Sequence, residues 1–255
     1  LTDRADNLSY VQLKIFKLPT CDDIDYTSSS RNPYIFEPRL VAASKTHSVP
    51  IVIEAYEAGQ RHFGENYVAE LLEKGHHPDI LEKCKDIRWH FIGHLQSNKV
   101  NKVLGVPNLY LIETVHSKKL ATCLDNAWPK FRKTDDSRVN VMVQINTSGE
   151  DEKNGCEPKE ASDLVKHVLE NCKNLKFDGL MTIGMYGYDV SKGPNPDFVS
   201  LKNCRENICK ELNLDPKTVE LSMGMSSDFE HAIELGSSNV RVGSSIFGYR
   251  PRKGE

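Results

Sequence analysis

Arg39-Leu-Val-Ala-Ala-Ser-Lys-Thr46 is a short apolar run that ends at a single lysine. Leu40 to Ala43 has the composition of a strand buried on both faces, and a helix pattern with Ser48 as its N-cap follows at once. Lys45 is therefore expected at the C-terminal end of a strand. In parallel α/β folds this edge binds ligands, so an amine held there could meet a carbonyl group. A solvated loop lysine is the alternative, and this stretch alone favours it.

Length and charge narrow the classes of protein that the chain can form. The chain has 255 residues and a formal net charge of −3. A chain of this length can bury one substantial core, so one main domain is expected. No long basic run would attract nucleic acid or an anionic membrane, and no apolar run approaches the roughly 20 residues that span a bilayer. We expect a soluble protein without nucleic-acid or membrane partners.

The cysteines give an indication of compartment. There are seven, scattered along the chain without a Cys-x-x-Cys pair. This usage suits a reducing compartment better than a secreted, disulfide-bonded domain. We expect a cytoplasmic protein, with a mitochondrial location as the alternative.

The first 38 residues differ in composition from the rest of the chain. Val11 to Leu18 is apolar in character, but acidic residues, a run of serines and two prolines surround or follow it. Such a segment buries little apolar surface. We predict a poorly ordered N-terminal arm over residues 1–38 and one folded domain over residues 39–255.

After Pro38, apolar runs alternate with helical patterns to the end of the chain. Eight strand candidates share short length and apolar composition: Leu40–Ser44, His62–Gly64, Ile87–Ile92, Leu109–Glu113, Val139–Ile145, Lys176–Ile183, Val219–Ser222 and Val240–Val242. Seven helical patterns lie between them, and a short turn near Ser244 follows the last strand. This arithmetic predicts the α/β class and a single (β/α)8 TIM-type barrel. A doubly wound sheet is the alternative, because it also alternates strand and helix but usually has fewer strands.

The loops after the last two strands carry the residues of a phosphate site. Gly243-Ser244-Ser245 combines a glycine-freed backbone with hydroxyls, and Ser226 lies in the loop after the neighbouring strand. Loops at these positions of such barrels often bind phosphate through backbone N–H groups and a short helix N-terminus. Either motif alone is more simply a helix cap or a turn. Their coincidence on adjacent strands favours a phosphate site.

Two further patterns concern charged and ring side chains near the strand ends. Arg241 should lie on the side of its strand opposite to Val240 and Val242, so it needs an acceptor such as a carboxylate or a heterocycle nitrogen. A structural ion pair is the alternative. His90 and His94 have i, i+4 spacing but straddle a strand end and a glycine, so they do not share a helical face as zinc ligands would. We predict no metal site.

A strand-end lysine facing a phosphate site suggests a phosphorylated aldehyde, of which pyridoxal 5′-phosphate is the cofactor example. Six segments carry a specific resemblance: Leu40-Val-Ala-Ala-Ser-Lys-Thr46, residues 55–68, Trp89-His-Phe-Ile-Gly-His-Leu-Gln-Ser-Asn-Lys99, Gly179-Leu-Met-Thr-Ile-Gly184, Leu221-Ser-Met-Gly-Met-Ser-Ser-Asp228 and Val240-Arg-Val-Gly-Ser-Ser-Ile-Phe-Gly248. The chain resembles the pyridoxal phosphate homeostasis proteins over roughly residues 39 to 252.

This resemblance implies a barrel similar to the N-terminal domain of alanine racemase, with pyridoxal phosphate bound as a Schiff base at Lys45. It implies roles for six further residues: phosphate contacts from Ser226, Gly243 and Ser244, a contact of Arg241 with the pyridine nitrogen, and ring contacts from Asn66 and Met223. Proteins of this family usually begin with an amphipathic helix that packs on the barrel. Residues 1–38 show no clear one.

Two function classes follow from the resemblance. The first is a monomeric, non-catalytic protein that holds pyridoxal phosphate for vitamin B6 homeostasis and delivers it to apo-enzymes. The second is an amino-acid racemase of the alanine racemase type. That enzyme takes its second base, a tyrosine, from an additional C-terminal domain. Because the sequence ends at Glu255, we expect no such domain here and favour the carrier.

Overall fold

A closed barrel of eight parallel strands forms the centre of the protein. The computed structural model describes residues 4–17 and 38–248. Each strand pairs with its neighbour in chain order, and the eighth pairs with the first. The strands are β1 Arg39–Ala43, β2 His62–Glu65, β3 Arg88–Phe91, β4 Leu109–Val115, β5 Val139–Gln144, β6 Leu175–Met181, β7 Glu220–Ser222 and β8 Asn239–Val242. The predicted (β/α)8 barrel is confirmed.

Helices follow the strands and surround the barrel. In the described residues they are α1 Arg4–Lys17, α2 Val49–Glu57, α3 Val68–Gly75, α4 Pro78–Lys83, α5 Val100–Leu104, α6 Lys118–Ala127, α7 Ala161–Asn171, α8 Pro196–Leu212, α9 Phe229–Glu234 and α10 Ser244–Phe247. Each of the seven helical patterns found in the sequence coincides with a helix. The short turn expected near Ser244 is α10.

The barrel separates its apolar side chains into two layers. Leu40 and Ala42 of β1 belong to a large cluster in which the strands meet the helices, and a small second cluster contains Leu111, Met142 and Met181. Side chains of successive strand residues point to opposite faces, so the small cluster lies inside the barrel. Much of the remaining interior is polar. Buried charged and hydroxyl groups are therefore available to contact a ligand at the strand ends.

The expectation of a poorly ordered arm is wrong for residues 4–17, which form helix α1. Leu8, Val11 and Ile15 repeat at helical spacing on one face and are buried, with 0%, 1% and 8% exposure. Burying each such side chain contributes roughly 1.5 to 3 kcal/mol, which offsets the entropy of ordering the helix. The exposed apolar residues Tyr10, Leu13 and Phe16 blurred this periodicity in the sequence. The rest of the predicted arm, residues 1–3 and 18–37, lies outside the described residues.

Polar contacts with several elements also hold α1 on the barrel. Arg4 pairs with Glu54 of α2, and Lys14 pairs with Glu230 of α9. The Asn7 amide donates to the carbonyl oxygen of Ile246 in α10 at 3.3 Å. The contact with α10 matters for the site, because α10 directly follows the loop that was predicted to bind phosphate.

Three findings limit what else the described residues can do. No helix within residues 4–17 and 38–248 has the length and apolar character needed to cross a bilayer. Over the same ranges, no group of three or more His, Cys, Asp or Glu side chains is placed to hold a metal ion. The six cysteines in the described part of the chain are free thiols.

Candidate functional site

Lys45 lies in the turn that follows β1 at the mouth of the barrel. The Ser44 N–H still donates to the carbonyl oxygen of Gly64 at 3.0 Å, so pairing with β2 continues one residue beyond the strand. Ser44 faces outward, and Lys45 begins the turn on the interior side. Thr46 has φ +65°, which is unusual for a β-branched residue. The surroundings must hold this turn in place, because the backbone alone would not prefer it.

A buried charged group supports the outer side of this turn. Lys74 of α3 donates from Nζ to Glu65 Oε1 at 2.6 Å, to the Ser44 carbonyl oxygen at 2.8 Å and to Glu70 Oε2 at 3.0 Å. Lys74 is 3% exposed and Glu65 is 0% exposed. Sequence reasoning missed this group. The available signal was the i, i+4 spacing of Glu70 and Lys74 in the helix that follows the strand ending at Glu65.

Asn66 lies beside Lys45, at the end of the neighbouring strand β2. The backbone of Gly93 packs closely against the backbone of Asn66. A side chain at Gly93 would clash, because its Cβ would lie 1.8 Å from the Asn66 carbonyl oxygen. The side-chain oxygen Oδ1 is buried and has no hydrogen-bond partner within residues 4–17 and 38–248. Leaving a buried acceptor unpaired costs about 1 to 3 kcal/mol. The atom is therefore suited to accept a hydrogen bond from a ligand.

The loops after β7 and β8 come together as predicted from their sequence. Ser226 Oγ accepts from the backbone N–H of Gly243 at 3.1 Å and from that of Ser245 at 3.4 Å. Ser244 is exposed at the start of α10, beside these groups. Backbone N–H groups and hydroxyls thus converge on one place, which is the chemistry that a phosphate needs. Because β8 pairs with β1, this place and Lys45 follow adjacent strands.

Arg241 lies inside the barrel at 5% exposure. Its guanidinium donates to Ser222 Oγ at 2.5 Å and to the carbonyl oxygen of Thr182 at 2.7 Å. Burial lowers the pKa of Arg241, and the nearby Glu113 and Asp228 carboxylates oppose that shift. The Ser222 hydroxyl and the Thr182 carbonyl orient the guanidinium, so it can present N–H donors to a ring nitrogen at the mouth.

A chain of hydrogen bonds continues from Arg241 through the interior. Ser222 donates to Glu113 Oε2 at 2.5 Å, His90 contacts Glu113 Oε1 at 2.7 Å, and His62 contacts His90 at 2.8 Å. Burial would raise the pKa of Glu113, but the hydrogen bond from His90, the charge of Arg241 and the hydrogen bond from Ser222 lower it to about 2. Burial also lowers the pKa of His62, to about 3, and that of His90. The interior therefore contains a carboxylate and neutral imidazoles at neutral pH.

His90, His94 and Met223 lie in three different surroundings. His90 is part of the interior chain, whereas His94 is exposed and stacks on His116 with ring centroids 4.8 Å apart. Met223 is fully buried in the apolar cluster between strands and helices. Strand alternation places it on the outer side of β7, away from the interior residue Ser222. We therefore leave Met223 out of the proposed contacts.

The fold and this arrangement of residues define a class of barrel. The family model described as alanine racemase, N-terminal domain, matches residues 35–251. An alanine racemase from Clostridium difficile superimposes with a TM-score of 0.67 over 97% of this chain and 60% of that chain, at 15% identity. At this identity the likeness concerns the fold alone.

Closer relatives define the family within this class. The human pyridoxal phosphate homeostasis protein is 58% identical over 214 residues, covering 84% of this chain and 77% of the human one. The Caenorhabditis elegans protein of the same name is 49% identical, covering 84% and 87%. A structure of PipY from Synechococcus elongatus with PLP bound has a TM-score of 0.75 and 28% identity over 96% of this chain and 100% of that chain. The chain belongs to the family of pyridoxal phosphate homeostasis proteins.

Proposed function

We propose that this chain binds pyridoxal 5′-phosphate at the barrel mouth and serves vitamin B6 homeostasis as a carrier, without significant catalysis. The observation that carries this proposal is the pairing of β1 with β8 in the register Val41 to Arg241. That register brings a lysine and a group of phosphate-type donors, almost 200 residues apart in sequence, to adjacent strand ends. Membership of the family and the PLP bound to PipY support the same ligand.

Lys45 is the residue that we propose as the covalent attachment point. Pyridoxal phosphate would supply an aldehyde carbon, and Lys45 would hold it covalently through Nζ as a Schiff base, with one water molecule leaving. Lys45 is half-buried in the turn that follows β1. Asn66 lies on the neighbouring strand end, where its buried Oδ1 can accept a hydrogen bond from the bound ring.

Ser226, Gly243 and Ser244 are proposed to hold the phosphate. Their hydroxyls and backbone N–H groups can exchange the Ser226 to Gly243 hydrogen bond for bonds to phosphate oxygens. Arg241 is proposed to donate to the pyridine nitrogen. Because a guanidinium keeps its protons, the nitrogen then remains unprotonated and the ring is a weaker electron sink. This feature does not separate a carrier from a racemase, because alanine racemase also has an arginine at this nitrogen.

The alternative function is amino-acid racemisation, because alanine racemases have a similar barrel. A racemase needs a proton-transfer group on each face of the substrate Cα. The family's proteins are named for homeostasis and not for an enzyme activity, which supports the carrier. Apo-enzymes that use pyridoxal phosphate are the proposed recipients, and the monomer is the proposed state.

The test mixes the loaded protein with a panel of L- and D-amino acids and, separately, with an apo-enzyme that requires pyridoxal phosphate. We expect no racemisation or transamination at ordinary enzymatic rates. We also expect the apo-enzyme to be activated. Rapid turnover of any amino acid would contradict the carrier function, and activation faster than free release of the cofactor would indicate direct transfer.

A further inference from the structure

The group formed by Glu65, Glu70 and Lys74 lies outside the proposed cofactor contacts, yet its hydrogen bonds converge on the two neighbours of Lys45. Lys74 Nζ donates to the Ser44 carbonyl oxygen, and Ser44 Oγ donates to Glu65 Oε1 at 2.6 Å. Beyond Lys45, the Thr46 N–H donates to Glu70 Oε2, also at 2.6 Å. Both peptide neighbours of Lys45 are therefore held by one group of charges.

The electrostatics agree with a group that constrains the backbone. Partial burial would raise the pKa of Glu70, but the hydrogen bonds from the Thr46 N–H and from Lys74 lower it, so Glu70 is a charged acceptor at neutral pH. Burial raises the pKa of Glu65 despite the opposing effect of Lys74. Lys74 joins the two carboxylates, so loss of its charge would release Ser44 and Glu70 together.

A gain in stability alone does not account for this group. Burying an ion pair costs desolvation that its mutual attraction often fails to recover, and well-packed apolar residues are frequently as stable. Here the cost includes Glu65 Oε2, which is buried without a hydrogen-bond partner among residues 4–17 and 38–248. What an apolar group could not supply is an acceptor for the Thr46 N–H and a donor for the Ser44 carbonyl. Those two bonds fix the turn at Thr46 with φ +65°.

We propose that Lys74, acting through Glu65 and Glu70, is a positioning residue that holds the turn carrying Lys45 and so sets the place and reactivity of its amine. The proposal rests on the proposed function, because it assigns Lys45 the covalent role. Lys74 itself touches the Ser44 backbone and two carboxylates, and it acts through the turn. Misplacement of a reacting group by about 1 Å can cost up to about a hundredfold in rate. A held turn also keeps Lys45 close to the aldehyde whenever the C–N bond opens, which slows loss of the cofactor.

The proposal makes a distinction between the two ends of the ligand. A defect in the lysine turn should weaken pyridoxal phosphate and unphosphorylated pyridoxal by the same factor, because both react through the aldehyde. A defect at the phosphate loops should weaken the phosphorylated form alone. A general loss of folding should reduce the fraction of binding-competent protein and leave the reactivity of Lys45 in the folded fraction unchanged.

The experiment compares Lys74→Met and Glu70→Gln with Glu73→Gln, an exposed carboxylate in the same helix. Dissociation constants for pyridoxal phosphate and pyridoxal are measured by titration. In protein freed of cofactor, a small reagent acylates Lys45, and mass spectrometry measures the rate of this acylation at several pH values. Hydrogen exchange of the Thr46 amide is measured in the same variants. We expect Lys74→Met to weaken both ligands about ten- to hundredfold and to shift the Lys45 acylation profile. Glu70→Gln should do less and should speed exchange at Thr46, and Glu73→Gln should match the wild type.

The readouts separate this proposal from the proposed function. If the wild type fails to bind pyridoxal phosphate, the proposed function fails, while the acylation profile and the Thr46 exchange still decide whether Lys74 holds the turn. If the wild type binds and both Lys74→Met and Glu70→Gln leave the Lys45 profile and the Thr46 exchange unchanged, the positioning role is refuted. Glu70→Gln keeps the size of the side chain at a partly exposed position, so it tests the proposal even where Lys74→Met does not fold.

Discussion

The phosphate end and the amine end of the candidate site are supported in different ways. The phosphate end consists of neutral hydroxyls and N–H groups around Ser226 and Gly243. It is followed by α10, which contacts the apolar face of α1. The amine end at Lys45 rests on buried charges from β2 and α3. Apolar packing tolerates small displacements, whereas a charged hydrogen bond fixes atoms to within a few tenths of an ångström. We infer that the phosphate end determines the preference for the phosphorylated ligand, whereas the amine end determines the reactivity towards the aldehyde that both ligands share.

The largest expected effect concerns the apolar support of the phosphate end. Leu8→Ala removes a side chain that is 0% exposed in α1, so we expect the free energy of unfolding to fall by about 3 kcal/mol. Leu13→Ala is the matched control in the same helix, because Leu13 is 54% exposed. Denaturant titration measures both. Equal and small losses in the two variants would show that α1 does not stabilise the barrel.

The sequence allowed more to be predicted at one end of the site than at the other. Ser226 and Gly243 lie in short local motifs whose turn and hydroxyl chemistry can be recognised without a structure. Lys45 could be placed at a strand end by its apolar run. The partners of its turn were missed, because Glu65, Glu70 and Lys74 belong to the next βα unit and the pairing of β1 with β2 brings them under the turn. Helix α1 was missed because apolar residues on its exposed side, such as Tyr10 and Leu13, blurred the helical pattern of its buried residues.

The next largest effect should separate the two ends directly. Gly243→Val places a branched side chain where the backbone N–H faces Ser226. Because a valine blocks close approach of a phosphate, we expect about ten- to hundredfold weaker binding of pyridoxal phosphate, the equivalent of about one lost charge-assisted hydrogen bond. Pyridoxal is the internal control, since it should bind wild type and variant alike. Equal weakening of both ligands would place the phosphate elsewhere.

The interior chain beneath both ends predicts a pH dependence of stability. Burial holds the pKa of His62 at about 3, below its ordinary value of 6.5. Between those values the unfolded chain binds a proton that the folded chain does not, so stability is lost as pH falls below 6.5. His62→Asn removes one such group, so its stability should fall less steeply over this range. Denaturant titrations at several pH values measure the slopes, and identical slopes for the two proteins would argue against a neutral His62 in the folded state.

The smallest effect is expected from a single hydroxyl at the phosphate end. Ser226→Ala removes one side-chain oxygen but leaves the backbone N–H groups of Gly243 and Ser245 in place. A hydrogen bond of this kind contributes about 1 kcal/mol, so we expect affinity for pyridoxal phosphate to fall about fivefold. Titration with the same ligand pair used for Gly243→Val measures it. A loss larger than that of Gly243→Val would show that the hydroxyl, and not the backbone, dominates phosphate binding.

The central claim is that Lys45 is the attachment point for pyridoxal phosphate. The most direct test loads the wild type and Lys45→Ala with the cofactor, reduces both with borohydride and maps the modified peptide by mass spectrometry. The account predicts one stable adduct on Lys45 in the wild type, and a colourless Lys45→Ala protein without a specific adduct. An adduct on another lysine in the wild type, or undiminished covalent labelling of Lys45→Ala, would contradict it.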